Sequence, residues 1–164
     1  MFNNFDANSI IQIFILVIIS GQLFFLHKTY KADHERRKKQ ATVEYINNIR
    51  NDYKVLNNKL IEKFSNHPIK MDGIDHLMEK DINLLLSILE HLSVGINTGV
   101  YDFNILNRMT GSFLVSRYYQ LHPYISKAQL KNPLSYIEFE QLCSRIEEIR
   151  KKKYHSNEGS IKHS

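Results

Sequence analysis

The stretch LLLSILEHLSVGINTGVYD, residues 84–102, decides how this chain folds. With Ile82 at zero on a helical wheel and a step of about 100° per residue, Leu85, Leu86, Leu89, Leu92 and Ile96 fall in one broad arc. Leu84 and Ile88 extend that arc, and Asn83, Ser87, Glu90 and His91 are left on the other side. A helix this apolar around most of its circumference belongs at the centre of a bundle. The pattern predicts it over residues 74–97, with Gly95 and Gly99 marking a C-cap and a tight connection. Glu90 and His91 are adjacent in sequence, so on a helix they point about 100° apart and do not work as an acid–base pair.

On the N-terminal side, Ile46, Ile49, Tyr53, Leu56 and Leu60 recur at spacings of 3, 4, 3 and 4. That is a seam of about two heptads, short of the three or four of a free coiled coil. It offers a face to the rest of the domain, to a second copy or to a protein partner. Ser65, Asn66, His67 and Pro68 end this helix. On the C-terminal side a third helix is expected over residues 102–121, capped by Asp102, with Phe103, Leu106, Phe113, Leu114 and Leu121 on one face. Arg117 falls in the middle of that face, and a buried cation needs a partner. Glu90, at the edge of the central helix's apolar arc, is the expected partner, in an ion pair that fixes the register of the two helices. Pro123 is expected to stop the third helix, with a short one following over residues 126–130.

After Asn132-Pro133 the last helix carries Ser135 and Glu138 at capping-box spacing, with Leu134 and Phe139 as a hydrophobic staple. Phe139, Leu142, Cys143, Ile146 and Ile149 make its apolar stripe, and residues 150–153 place positive charge at the expected C-terminal end of the dipole. Residues 155–164 are polar and read as a disordered tail.

Far upstream, residues 9–26 read SIIQIFILVIISGQLFFL, without a charge. At 1.5 Å per residue this makes about 27 Å of helix, enough to cross a hydrocarbon core of about 30 Å with small flanking adjustments. A cleaved signal peptide needs a basic start and a small-x-small cleavage site, and neither is present. Residues 1–8 contain Asp6 and no lysine or arginine, whereas Lys28, Lys31, Arg36, Arg37, Lys38 and Lys39 follow the span. The positive-inside rule then expects the N-terminus outside and the bulk of the chain in the cytoplasm, at a bacterial inner membrane. The six basic residues of the 27–40 neck also suit anionic lipid head groups, at about 1 kcal/mol each near the surface. No aromatic residues alternate with them over residues 31–40, which argues against a nucleic-acid partner. Gln12 and Gln22 lie near the two ends of the span, where they reach the interface or hydrogen-bond a second copy, with Ser20 and Gly21 permitting close approach.

The chain has 164 residues, enough for one modest domain, and its 6 glycines and 3 prolines suit long helices with few turns. A single cysteine, Cys143, excludes an internal disulfide and a cysteine-based zinc site, and is simplest in a reducing compartment. The histidines show no His-x3-His or HExxH spacing, and no phosphate loop or nucleophile elbow occurs, so neither metal nor cofactor is expected. One pattern points to catalysis: Arg117 and His122 read as R-x4-H, similar to the motif of all-helical ribonucleases, in which the histidine transfers protons and the arginine holds phosphate.

The layout resembles the bacterial and phage family known as domain of unknown function 4760. The resemblance is carried by the N-terminal anchor, the basic segment running into Ala41 and Thr42, the motif Leu85, Leu86, Leu89, Glu90, Gly95, Ile96, Gly99 and Asp102, and the helix over residues 136–142. It covers roughly residues 10–150. It implies an anchored helical domain and no established activity, so it brings no catalytic residues. The reading is therefore an all-α protein: a transmembrane helix at 9–26, then a cytoplasmic bundle of about four helices over 41–154. The leading function is a membrane-tethered interaction or regulatory module. The alternatives are the Arg117/His122 ribonuclease and a phage-defence effector that perturbs the bilayer, whose toxicity would depend on residues 9–26.

Overall fold

The computed structural model describes the backbone of residues 7–161 and the side chains of residues 11–153. Residues 1–6, which hold most of the expected outer segment, and residues 162–164 lie outside the described residues. Among the described residues the fold is all-helical, with α1 at Ala7–Phe64, α2 at His76–Asn97, α3 at Phe103–Lys131 and α4 at Ile137–Ile161, and a short 3-10 turn at Met71–Gly73. It divides into two units, Met1–Lys38 and Lys39–Ser164.

The described part of the first unit, from Ala7 on, is a single helical segment. Its large apolar side chains from Ile11 to Leu26 are exposed by 48% or more, and the apolar window of α1 has a mean hydropathy of 1.7 with none of it buried. Length and composition make it a candidate membrane span. Just beyond, Arg37 pairs with Asp33 at 2.9 Å across one helical turn, an exposed contact of small energetic weight.

The second unit is a bundle built from the rest of α1 with α2, α3 and α4. Ile82, Leu85, Leu86, Leu89, Leu92 and Ile96 are all buried, which makes α2 the central helix. Leu84 departs from the wheel's arc and is 54% exposed. On α1, Ile46, Leu56 and Leu60 are buried while Ile49 and Tyr53 pack half-buried against the core, so the seam packs into the domain. From α3 come Leu106, Leu114, Leu121 and Ile125, and from α4 Phe139, Leu142, Cys143 and Ile146.

Three helix ends follow from local chemistry. The Asp75 side chain accepts from the Met78 N–H at 2.8 Å and opens α2. At the other end Gly99 takes the left-handed conformation, φ 81°, and its N–H donates to the Ile96 carbonyl. The Asp102 side chain then accepts from the Ile105 N–H at 2.9 Å, opening α3. The backbone N–H of Asp102 donates to the buried Thr42 hydroxyl on α1 at 2.7 Å, tying the α2–α3 turn to the first helix.

Three expectations are corrected. The helix expected to stop at Pro123 runs straight through it, so α3 is one helix of 29 residues where two were expected. Proline deprives the Tyr119 carbonyl of its helical donor. In the adjoining turn the Gln120 carbonyl accepts from the Ile69 N–H at 3.0 Å, so tertiary contacts hold the helix at this point. The start of α4 does not use the Ser135 capping box or the Leu134 staple. Leu134 is 72% exposed, and Tyr136 adopts φ 59°, which takes Ser135 out of the N-cap position. Lastly, α4 continues to Ile161 through residues expected to be a tail, so residues 150–153 do not form its last turn.

Candidate functional site: the Glu90 cap, the Arg117 cluster and the groove

Glu90 and Arg117 were expected to face each other, and the structure gives them different partners. Glu90 projects from α2 to the start of α4, where its two carboxylate oxygens accept from the Glu138 N–H at 3.2 Å and the Phe139 N–H at 2.9 Å. A carboxylate there satisfies two of the helix's orphan donors and lies at the positive end of its dipole. Asn97, two turns further along α2, donates to the Glu138 carbonyl at 3.2 Å and to its carboxylate at 2.7 Å. Thus α2 clasps the N-terminus of α4 twice.

Arg117 is buried, 4% exposed, as its place on the apolar face of α3 required. Its guanidinium donates to the Gln120 side-chain oxygen and, at 3.0 Å, to that of Asn66. It also lies over the Phe113 ring, 5.2 Å from the centroid. Its Nε is buried and finds no acceptor among the described residues. Gln120 completes the cluster by donating to the Ser65 carbonyl at 2.8 Å. The cation therefore holds the 65–69 connection against α3 through neutral amides, where a carboxylate had been expected. Tyr53 is close by. Burial pushes its hydroxyl well above the ordinary tyrosine range, and the positive charge of Arg117 partly opposes that.

The R-x4-H spacing does not gather a catalytic pair. Arg117 is buried, whereas His122 is exposed, with its ring against the edge of Tyr118 at 5.5 Å. Five positions on a helix at about 100° each leave the two side chains about 140° apart. Cys143 is free and buried, and its thiol is raised by burial first and by the nearby Glu147 and Glu140 charges next, which makes it a poor nucleophile.

Beside the Arg117 cluster, α1, α2 and α3 enclose a groove of about 290 Å³. Ile46, Ile49 and Tyr53 of the α1 seam form one wall, with Leu89 and Leu92 behind and Met109, Phe113 and Leu114 opposite. Asn47, Arg50 and Thr110 supply the polar rim. Tyr53 and Phe113 meet edge to face at 5.0 Å. The other two seam residues, Leu56 and Leu60, are core and not groove. In the neck, Lys28, Lys31, Arg36, Arg37 and Lys39 are exposed and Lys38 is half-buried.

Asn66, Asn97, Thr42 and Gln120 hold the bundle in ways that charge and hydropathy patterns do not reveal, because neutral amides and hydroxyls contribute to neither. Leu85, Leu86, Leu89 and Ile96 are core, Glu90 caps α4, Gly99 turns the chain and Asp102 caps α3. Gly95 is buried where an added Cβ would come within 2.3 Å of the Tyr101 ring. No curated protein and no solved structure matches the chain. A family model does match, over residues 6–146, so the chain belongs to the family described as Domain of unknown function (DUF4760).

Proposed function

We propose that the protein is a membrane-tethered interaction module, N-terminus outside and bundle in the cytoplasm, whose groove between α1, α2 and α3 receives an apolar segment of a protein partner. The observation that carries this reading is α1 itself. One helix holds both the exposed apolar span and the wall of the groove made by Ile46, Ile49 and Tyr53. The distribution of Lys28, Lys31, Arg36, Arg37, Lys38 and Lys39 supports the orientation. The apolar walls and the exposed Arg50 at the rim suit a segment that inserts a large apolar side chain and sets an acidic residue beside it.

The test is a photo-crosslinking residue at Asn47, on the rim, in the full-length chain in its native membrane. We expect one protein adduct that disappears on M109K, which places a charge at the mouth, and weakens on R50E. An adduct indifferent to both variants, or none, overturns the groove as the docking site.

A further inference from the structure

The apolar part of α1 is not uniform around its circumference. A Cβ at Gly21 would meet nothing within 4 Å, and the missing side chain opens a crease bounded by Ile18, Gln22, Phe25, Leu26 and Thr29. Ile18, Gln22, Phe25 and Thr29 follow one another at spacings of 4, 3 and 4, one seam of a left-handed helix pair, with Gly21 beside it. The Thr29 hydroxyl is already satisfied, donating to the Phe25 carbonyl at 2.9 Å. Gln22 is the other polar side chain of the crease, and everything else lining it is apolar.

Side chains on a helix lean toward its N-terminus, so Gln22 leans back toward Ile18 and away from the basic neck. If the span is embedded as proposed above, the Gln22 amide lies among hydrocarbon, which offers neither donor nor acceptor. An amide carries both, so the same residue on a second helix related by a two-fold axis satisfies it in both directions. A lipid tail fills the crease but leaves the amide unpaired.

We propose that this face is a self-association site, at which two copies of the chain pair through Ile18, Gln22, Phe25 and Thr29. Gly21 lets the backbones approach, and the Gln22 amides bond to one another. A polar residue at one seam position also fixes register. The proposal rests on the tether reading above and adds to it a partner, the second copy.

The experiment uses the full-length chain in cell membranes, with C143A removing the native thiol and single cysteines placed along the span. Oxidation is expected to give crosslinked dimers from I18C and F25C, and none from L16C and L23C on the opposite face. In the I18C background, Q22L and a bulky G21L should lower the yield by about threefold or more. Alkaline carbonate washing of the same membranes tests the tether separately. Chain retained in the membrane with no dimer, or with dimers from all four cysteines alike, overturns self-association and leaves the tether standing. Chain released by the wash overturns both.

Discussion

At the residue scale, Glu90 illustrates how a charge can be structural without an ion pair. Its two oxygens hold two backbone N–H groups at the start of α4. E90A should lower stability by about 1.5–3 kcal/mol, the usual weight of charge-assisted hydrogen bonds, and E90Q by less, since its amide keeps one acceptor. Thermal unfolding of the detergent-solubilised chain, followed by helical ellipticity, measures both. Because Glu90 and Arg117 have separate partners, E90Q and R117Q should add to within about 0.5 kcal/mol in a double-mutant cycle. Coupling well beyond that would restore the direct pair. Gly95 gives a third case. Its carbonyl accepts from the Tyr101 N–H at 2.9 Å, so the Tyr101 backbone is tied, and the ring is packed on Tyr45 with centroids 4.9 Å apart. G95A should cost about 1–3 kcal/mol through overpacking, and Y101A in the same background should recover part of it.

At the element scale, what was legible in the sequence was what is decided locally. The wheel of α2 and the Asp102 cap rest on neighbours within one or two turns, and both are found in the fold, Leu84 apart. What was hidden rests on partners far along the chain. Ser135 looked like an N-cap, yet the cap of α4 comes from Glu90, 48 residues away from Glu138. Pro123 looked like a stop, yet the Ile69 N–H reaches the carbonyl of Gln120 across 51 residues and braces α3 there. The same brace makes the 65–69 connection part of the bundle. N66A removes an acceptor from a buried guanidinium and should destabilise the domain by about 1–3 kcal/mol. Cys143 offers a direct readout of α4. It is 1% exposed with its thiol raised by burial, so a maleimide should label it only when the helix leaves the core, and E90A should speed that labelling. Labelling of the native protein at the rate of a free thiol would contradict the packing of α4.

At the scale of the whole molecule, the domain carries a pH signature. Burial is the first cause raising the hydroxyls of Tyr45, Tyr53, Tyr118, Tyr124 and Tyr136 above the ordinary value of 10.0. The folded state holds these groups neutral while the unfolded chain loses its protons near the ordinary value. The unfolded state then binds fewer protons, so stability is full below pH about 10 and falls as pH rises above it. Tyrosinate absorbance should lag in an alkaline titration and then rise together with the loss of helical ellipticity. Membership of a family of unknown function leaves activity to be argued from the site. There, the buried Arg117 and the exposed His122 point apart, while the groove beside them is apolar and open.

The proposal on which the others rest is that the apolar part of α1 crosses a membrane and keeps the bundle in the cytoplasm. The direct measurement uses the C143A chain with one cysteine at either end, N3C or S160C, and an impermeant maleimide added to intact spheroplasts. Labelling of N3C on intact spheroplasts and of S160C only after lysis is the predicted result. Labelling of S160C on intact spheroplasts, or protection of both cysteines until lysis, would contradict it.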